Sequence, residues 1–381
     1  MDKSAANVVI VGGGIVGCSI ALELVSRGGF EEVILLEKGP FLGDGTSTRN
    51  SYVLHAGIYY PQDSWKARFC VPGNRELYAF CEKHRIACLN TGKVILAFSG
   101  DEIPILERLQ RQGELNGVEG LRILDKEGLR RREPSIQAGG ALLVPSTGVF
   151  DVAQWFRVVE GLLYEKGVMV LKNTPVVGLE PKAEGIQVET GTRGKVLARF
   201  VVNAAGLFSD EVGNLLGNRF RIHPIRGDYF SVAGKTAELV RGAVYPPPGD
   251  LGLGIHLTRL WDGTLLVGPD ARRVESKEDY GPLPVFDAEG DLDEESTDFK
   301  RFFLPVKRYF PAVREKDLHL AHCGIRPSLL PPGEKGFRDF RIEWDRHDGR
   351  VIHLLGIDSP GLTASPAIAR HVADMLAERA G

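Results

Sequence analysis

The chain has 381 residues, of which 43% are hydrophobic and 25% are charged, and its formal net charge is −3. These are ordinary values for a globular protein, and the length suits two to three domains around a large buried core. The balance of charges argues against nucleic acid as a partner, because the chain has no excess of basic residues to neutralise phosphates.

No segment of the sequence indicates export or a membrane span. The apolar run near the N-terminus starts within ten residues, is broken by glycines and lacks a small-residue cleavage site. No run elsewhere reaches the roughly 18 apolar residues that a transmembrane helix needs. We therefore expect a cytoplasmic protein, for which the basic triplet at residues 130–132 leaves peripheral contact with the inner face of a membrane as an alternative.

The cysteines and histidines give no indication of a metal site. The five cysteines are scattered without C-x-x-C spacing, so we interpret them as buried free thiols. His319 and His322 have H-x-x-H spacing, but in a strand they would point to opposite faces, and no third ligand is near them in sequence. An acidic run over residues 287–298 is interpreted as a solvated loop that leads into a helix.

The predicted elements begin with a β-α-β unit. Residues 7–11 form an apolar, β-branched run, residues 15–26 have helical spacing that ends at Gly28-Gly29, and residues 33–37 form a second apolar run. Because both runs are almost entirely apolar, we expect two parallel strands that are buried on both faces.

Further strands and helices are predicted from the same kinds of sequence signal. Asp151 is the predicted N-cap of a helix that ends near residue 166, and a last helix is predicted over residues 363–380. Asp348-Gly349 is a strong hairpin signal between two apolar runs. The strands predicted in these parts of the chain are residues 168–172, 175–179, 185–190, 196–205, 340–344 and 351–356.

Two stretches of different character, residues 88–147 and 222–318, interrupt these segments. They contain short strand-like runs and proline-rich turns, with predicted strands at residues 228–233, 255–258 and 264–267. We predict that both stretches form one substrate-binding domain. The remaining segments, residues 1–87, 148–221 and 319–381, are predicted to form a discontinuous nucleotide-binding domain.

Gly12, Gly14 and Gly17 form a G-x-G-x-x-G turn directly after a predicted strand and at the start of a predicted helix. The first glycine permits a tight turn, the second lets the backbone approach a pyrophosphate, and the third allows close packing of the helix. Glu37 ends the second strand, 20 residues beyond Gly17, where its carboxylate can accept hydrogen bonds from ribose hydroxyls and repel a 2′-phosphate. The pattern therefore predicts a site for FAD or NAD and disfavours NADP.

A resemblance to a known family favours FAD. The segment 12–37, VVNAAG at 201–206, GIRP at 324–327 and GLT at 361–363 resemble the D-amino-acid-oxidase superfamily of flavoproteins, and the resemblance spans essentially the whole chain. It implies an α/β fold in which a Rossmann-like FAD-binding domain is interleaved with an α+β substrate domain built on a mixed or antiparallel sheet. It also implies noncovalent FAD, held by Gly12, Gly14, Ile15, Val16, Gly17, Glu37, Lys38, Thr46, Ser47, Asn50, Ser51, Val176, Ala205, Gly206, Gly324, Gly361, Leu362 and Thr363.

A narrower resemblance concerns the substrate. The strings RNS at 49–51, HAGIYY at 55–60, KAR at 66–68, LGIHLT at 253–258, GPD at 268–270 and DSPGLTAS at 358–365 are similar to L-2-hydroxyglutarate dehydrogenases and oxidases. The implied reaction is oxidation of a small 2-hydroxy acid, L-2-hydroxyglutarate to 2-oxoglutarate, by hydride transfer to flavin N5. Tyr52 departs from the pattern, because the family usually has glycine there, and a tyrosine beside the flavin would narrow the pocket.

Oxidation of a 2-hydroxy acid needs a base for the hydroxyl proton and a cation for the carboxylate. His256 is the first candidate base, since a neutral imidazole can accept a proton near pH 7. His55 is a second candidate base or, as an alternative, a structural hydrogen-bond partner of the cofactor. Arg326 has the planar fork that suits a carboxylate, and Tyr60 and Lys66 are candidates to complete the anion pocket.

Two other functions stay open at this point. An amino-acid or secondary-amine oxidase would use the same flavin architecture and the same arginine, and a flavin-binding protein without turnover would need only the cofactor site. The sequence also leaves open whether oxygen, a quinone or a carrier protein accepts the electrons.

Overall fold

A computed structural model describes residues 6–232, 234–248, 254–285, 293 and 296–380. Leu253 of the LGIHLT string and most of the predicted acidic loop at 287–298 lie outside the described residues. Within the described part of the chain, no helix is both long enough and apolar enough to cross a membrane. Cys18, Cys70, Cys81 and Cys323 are buried free thiols, and Cys88 is a half-buried one.

The elements follow the β-α-β beginning that the sequence predicts. The helices are α1 (Ile15–Arg27), α2 (Trp65–His84), α3 (Ile103–Leu115), α4 (Lys126–Arg132), α5 (Val152–Glu165), α6 (Ser209–Asn214), α7 (Gly234–Ala237), α8 (Thr297–Tyr309) and α9 (Gly361–Ala380). The strands are β1 (Ala6–Val11), β2 (Val33–Leu36), β3 (Val53–Leu54), β4 (Cys88–Leu89), β5 (Lys93–Ala97), β6 (Arg122–Asp125), β7 (Gly140–Val144), β8 (Gly148–Phe150), β9 (Met169–Leu171), β10 (Val176–Pro181), β11 (Ile186–Thr190), β12 (Gly194–Asn203), β13 (His223–Val232), β14 (Ala243–Tyr245), β15 (Leu257–Arg259), β16 (Leu265–Val267), β17 (Arg272–Arg273), β18 (Leu318–Ser328), β19 (Arg341–Trp344) and β20 (Val351–Leu355).

The first sheet holds the nucleotide-binding turn at the end of its central strand. Its order among the described strands is β10-β11-β12-β1-β2-β9, and β20 pairs with β12 and with β19. Strand β1 is parallel to both β2 and β12, and all four residues of β2 are buried, which confirms the predicted pair of buried parallel strands. The hairpin β19-β20 and the N-cap of α5, where Asp151 accepts from the backbone N–H of Gln154, are also confirmed.

The second sheet is mixed, as predicted. Its order is β17-β13-β16-β15-β14-β5-β7-β6, with β14 and β5 parallel and the other pairs antiparallel. Helix α8 covers one face with Phe299 and Phe302, whose rings pack against Phe230. Strand β18 pairs with β13 along its length, although the predicted domain boundary at residue 319 assigns it to the nucleotide-binding part. The two-domain division stays a prediction.

The segment after β3, a strand of a third sheet of order β3-β8-β4, is held by the last helix. The hydroxyl of Thr363, in the first turn of α9, accepts a hydrogen bond from the backbone N–H of His55 at 2.9 Å and donates to the carbonyl of Val53 at 3.3 Å. Helices α2 and α9 pack closely, because Gly73 has no side chain: a Cβ atom there would lie 2.3 Å from the carbonyl oxygen of Thr363. The hydrogen bond from its backbone N–H to Thr363 thus fixes the position of His55.

Candidate functional site

Two adjoining cavities lie between the sheets and share part of their walls. The smaller cavity has a volume of about 730 Å³ and the larger about 840 Å³. The residues that line both are Gly14, Thr46, Ser47, Arg49, Ala204 and Gly206. Together they form a continuous space whose volume suits a dinucleotide and a small substrate.

The glycine turn forms one end of the smaller cavity. Gly12 has a φ of +110°, and a Cβ atom there would lie 2.5 Å from the carbonyl oxygen of Ala204 at the end of β12. At Gly17 a Cβ atom would lie 1.9 Å from the carbonyl oxygen of Gly12, so only glycine lets α1 begin this close to the strand. The N-terminus of α1 therefore faces the cavity, as anion binding requires.

Glu37 lies where the prediction places a ribose-binding carboxylate. It lines the smaller cavity, and its Oε2 and Oε1 atoms accept hydrogen bonds from the backbone N–H groups of Gly13 and Gly39 at 2.8 and 2.7 Å. These two bonds fix the carboxylate and leave further lone pairs for a ligand. The cradle of glycines and this oriented carboxylate fit the adenosine half of FAD.

Most predicted FAD-binding residues line one cavity or the other. Those of the smaller cavity, beyond the shared ones, are Gly12, Glu37, Lys38, Val176 and Ala205, and those of the larger are Ile15, Val16, Asn50, Ser51, Gly324, Gly361 and Leu362. Two predicted residues line neither. Gly17 packs inside the turn, and Thr363 holds the segment at His55.

His256 is buried at the wall of the larger cavity, just before β15. Its Nδ1 atom is 3.0 Å from the carbonyl oxygen of Gly254. Because a carbonyl only accepts, Nδ1 must be protonated, and Nε2 then has a free lone pair. Nε2 is buried and has no hydrogen-bond partner among the described residues. Burial, with Lys93 and Arg326 nearby, lowers the pKa of His256 to about 3, so the ring is neutral.

His55 lines the same cavity. Its Nε2 atom is 3.2 Å from the hydroxyl of Ser359, and its buried Nδ1 atom has no partner within the described ranges. Burial lowers the pKa of His55 to about 3, and the charge of Lys93 adds to that effect. A serine hydroxyl can donate or accept, so the tautomer of His55 is not fixed by its neighbour in the way that of His256 is.

Arg326 extends from β18 into the larger cavity. Its Nη2 atom donates to the carbonyl of Asp270 at 3.3 Å, and it forms no ion pair with a carboxylate of the described residues. Its charge lowers the pKa of the nearby His256. The guanidinium is therefore available to a ligand carboxylate beside the histidine.

Tyr60 and Lys66, the other predicted anion-binding residues, have different surroundings. Tyr60 lines the larger cavity. Lys66 does not line it, and its Nζ atom is 2.6 Å from Oδ1 of Asp358, a residue that does. The contact with Asp358 holds Lys66 beside this wall, and its predicted role in binding the substrate stays a prediction.

The sequence interpretation did not identify Lys93 and Tyr59 beside the larger cavity. Lys93, at the start of β5, is buried behind Tyr59, which lines the larger cavity. The one local signal for Lys93 is that a lysine directly precedes the apolar run VILA at residues 94–97. The ring of Tyr52 does not line the cavity but contacts Trp261, with 5.6 Å between the ring centroids, and its φ of 57° is the left-handed conformation that glycine adopts most easily.

Comparisons with known proteins agree with this geometry. The family model described as "DAO: FAD dependent oxidoreductase" matches residues 7–375. The mitochondrial L-2-hydroxyglutarate dehydrogenase of Arabidopsis thaliana is 33% identical, covering 98% of this chain and 83% of that protein. The corresponding protein of Homo sapiens is 32% identical, covering 99% of this chain and 90% of that protein.

A comparison with solved structures indicates the same family. The dithionite-reduced, FAD-bound L-α-glycerophosphate oxidase of Mycoplasma pneumoniae superposes with a TM-score of 0.85 at 26% identity, covering 98% of this chain and 95% of that one. The sequence match, the fold and the dinucleotide-sized cavity agree. The chain belongs to the DAO family of FAD-dependent oxidoreductases.

Proposed function

We propose that the protein oxidises L-2-hydroxyglutarate to 2-oxoglutarate with FAD as the hydride acceptor. The observation that supports this most directly is that one cavity holds both the Nε2 atom of His256, which has no hydrogen-bond partner among the described residues, and the guanidinium of Arg326, which forms no ion pair with them. These are the base and the cation that the reaction needs. The relatives named L-2-hydroxyglutarate dehydrogenase support the choice of substrate.

Arg326 binds the carboxylate next to the reacting carbon. Its two parallel N–H donors match the two oxygens of a carboxylate, which orients the α-carbon as well as attracting the charge. Fixing this end of the substrate would orient its α-hydrogen for transfer to the flavin, which Gly361 and Leu362 of α9, in the wall of the same cavity, would help to hold. The N-terminus of α9 at that wall would stabilise negative charge on a bound flavin.

His256 accepts the hydroxyl proton through Nε2. In the protein without substrate, burial and the charges of Lys93 and Arg326 keep its pKa near 3. A bound carboxylate offsets those positive charges and so raises the pKa toward the range in which an imidazole is an effective base. His55, on the same cavity with its Ser359 contact, is the alternative base.

Anaerobic mixing of the FAD-loaded protein with candidate substrates tests the proposal. L-2-Hydroxyglutarate should bleach the flavin absorbance and yield 2-oxoglutarate, whereas L-glutamate, which has an amine in place of the hydroxyl, should not. Bleaching by L-glutamate and not by the hydroxy acid would identify an amino-acid oxidase instead. A flavin that stays oxidised with the whole panel would indicate a binding protein without turnover.

The same preparation tests the remaining expectations about the cofactor. Acid precipitation should release the flavin if its attachment is noncovalent. Reoxidation of the reduced protein by air, by a soluble quinone or by neither then assigns the electron acceptor as oxygen, a quinone or a carrier protein.

A further inference from the structure

Lys93 is a buried basic residue that has no carboxylate partner among the described residues. It is 1% exposed, and its Nζ atom donates one hydrogen bond, to the hydroxyl of Tyr59 at 3.3 Å. No carboxylate of the described residues lies within ion-pair distance of it. Burying an ammonium group without such a partner is costly, which indicates that the charge serves the neighbouring cavity.

Two tyrosine rings separate Lys93 from that cavity. The Nζ atom lies 4.5 Å from the ring centroid of Tyr59 and 4.7 Å from that of Tyr245, and both rings line the larger cavity. The ring faces stabilise the ammonium in part. Its charge still reaches the cavity, because it lowers the pKa of both His55 and His256.

The direction of the hydrogen bond determines what Tyr59 offers to a ligand. An ammonium group has three donors and no acceptor. When Lys93 is protonated, the oxygen of Tyr59 is therefore the acceptor in this contact, and its own O–H proton stays free. Since Tyr59 lines the larger cavity and no other hydrogen bond of its hydroxyl occurs within the described ranges, that proton is available to a bound anion.

Among the basic residues around the larger cavity, Lys93 and Arg326 differ from the other four in their lack of a carboxylate partner within the described ranges. The other four cations each have a carboxylate partner. These pairs are Arg49 with Asp44 at 3.5 Å, Lys66 with Asp358 at 2.6 Å, Arg272 with Asp228 at 3.1 Å and Arg301 with Asp270 at 2.8 Å. Lys93 and Arg326 have no such partner among the described residues, and the proposed substrate brings two carboxylates.

We propose that Tyr59 and Lys93 form the site for the second, distal carboxylate of the substrate. Tyr59 donates its hydroxyl proton to that carboxylate, and Lys93 is a positioning residue that keeps Tyr59 in the donating orientation and supplies the opposite charge. The pair would make the enzyme select 2-hydroxy dicarboxylates over 2-hydroxy monocarboxylates. This inference rests on the proposed function, since it assigns the far end of the same substrate.

The test compares two substrates of equal chain length in variants of the FAD-loaded protein. L-2-Hydroxyglutarate has the distal carboxylate, and L-2-hydroxypentanoate has a methyl group in its place. Tyr59→Phe and Lys93→Met should each raise KM for the dicarboxylate about 10- to 100-fold, the usual range for a lost hydrogen bond to a charged group. In Tyr59→Phe, kcat at saturation and the kinetics of L-2-hydroxypentanoate should change little. Lys93→Met also removes a charge that lowers the pKa of His256, an effect common to both substrates, so for this variant the expected change is a fall in the ratio of kcat/KM for the dicarboxylate to kcat/KM for the monocarboxylate.

The double variant and a matched control sharpen the result. Because both residues act as a pair on one carboxylate, the loss in the double variant should be smaller than the product of the two single losses. Tyr164→Phe removes an exposed hydroxyl that contacts Glu160 and should change neither substrate. Equal losses with both substrates, multiplicative effects in the double variant, or unchanged KM values would each overturn the proposal.

Binding of glutarate, which has both carboxylates but no hydroxyl to oxidise, separates this inference from the proposed function. Isothermal titration should show weaker glutarate binding in Tyr59→Phe and Lys93→Met by the same factor as the rise in KM. If the wild-type protein oxidised neither hydroxy acid, the proposed function would be wrong, and the glutarate measurement would still decide whether the pair binds a carboxylate.

Discussion

At the residue scale, the proposed chemistry depends on which nitrogen of His256 carries the proton. The carbonyl oxygen of Gly254, two residues earlier in the chain, lies 3.0 Å from Nδ1 and so fixes the proton on that nitrogen. The LGIHLT string could indicate that the histidine matters, but it could not show the tautomer. That follows from the contact itself, which forms only in the folded chain, where Gly254 adopts a positive φ of 70°.

His256→Ala tests this assignment. We expect anaerobic flavin reduction by L-2-hydroxyglutarate to be slower by about 10²- to 10⁴-fold, the usual contribution of a positioned base, with little change in substrate affinity. Stopped-flow absorbance across substrate concentrations measures both quantities. His347→Ala, at an exposed position in the β19-β20 turn, is the matched control. Reduction at the control's rate in His256→Ala would transfer the base role to His55.

Arg326→Lys tests the carboxylate fork. The variant keeps the positive charge but loses the two parallel donors, so the apparent dissociation constant of the hydroxy acid should rise more than the reduction rate falls. The same stopped-flow series separates the two values. A fall in rate without weaker binding would show that the guanidinium acts on the reacting atoms rather than on the carboxylate.

Residues such as Lys93 show why sequence patterns identify only part of this site. Glu37 and the glycine turn belong to one local β-α-β unit, so their spacing predicts their geometry. The neighbours of Lys93 are Tyr59 from the segment after β3 and Tyr245 from β14. Only the folded sheet brings these distant segments together, and the sequence has no periodicity that would reveal it.

At the element scale, the first helix and the last helix meet the cofactor cavity with their N-termini. The sequence predicted both, because apolar spacing and the preceding glycines are local signals. The second sheet was harder to predict: its strands β14, β15 and β16 have three residues each. The parallel pair β5-β14 joins segments about 150 residues apart in the chain. Runs this short have no distinctive pattern of their own.

Gly14→Val tests the N-terminus of α1 as the cofactor cradle. A Cβ atom at Gly14 would lie 3.2 Å from the hydroxyl of Ser47, and the larger valine side chain would project into the cavity shared by both halves of the site. We expect purified Gly14→Val to contain no FAD and to take up none on reconstitution, measured by its absorbance. Gly161→Val, at an exposed position of α5 with open space around it, should stay yellow. Full FAD occupancy in Gly14→Val would place the pyrophosphate elsewhere.

At the scale of the whole molecule, the buried charge of Lys93 opposes folding. Burial lowers its pKa from 10.5 to about 7. In the unfolded chain the amine is protonated below about pH 10.5. Between pH 10.5 and 7 the unfolded state therefore binds more protons than the folded state, and the penalty grows as the pH falls through that window. At pH 7 it amounts to roughly 4 kcal/mol.

Lys93→Met should accordingly stabilise the protein while weakening substrate binding. Methionine fills nearly the same volume without a charge, so the variant should unfold at a temperature several degrees higher than wild type at pH 6 to 7. The difference should shrink as the pH approaches 10, because the wild-type amine is then neutral in the folded protein and increasingly neutral in the unfolded chain. Thermal melts followed by circular dichroism, with saturating FAD in both proteins, measure this difference at each pH. A variant that melts at a lower temperature at pH 7 would mean that the ammonium contributes more to packing than its burial costs. A gain that is the same at pH 7 and pH 10 would trace the effect to the methionine side chain and not to the charge of Lys93.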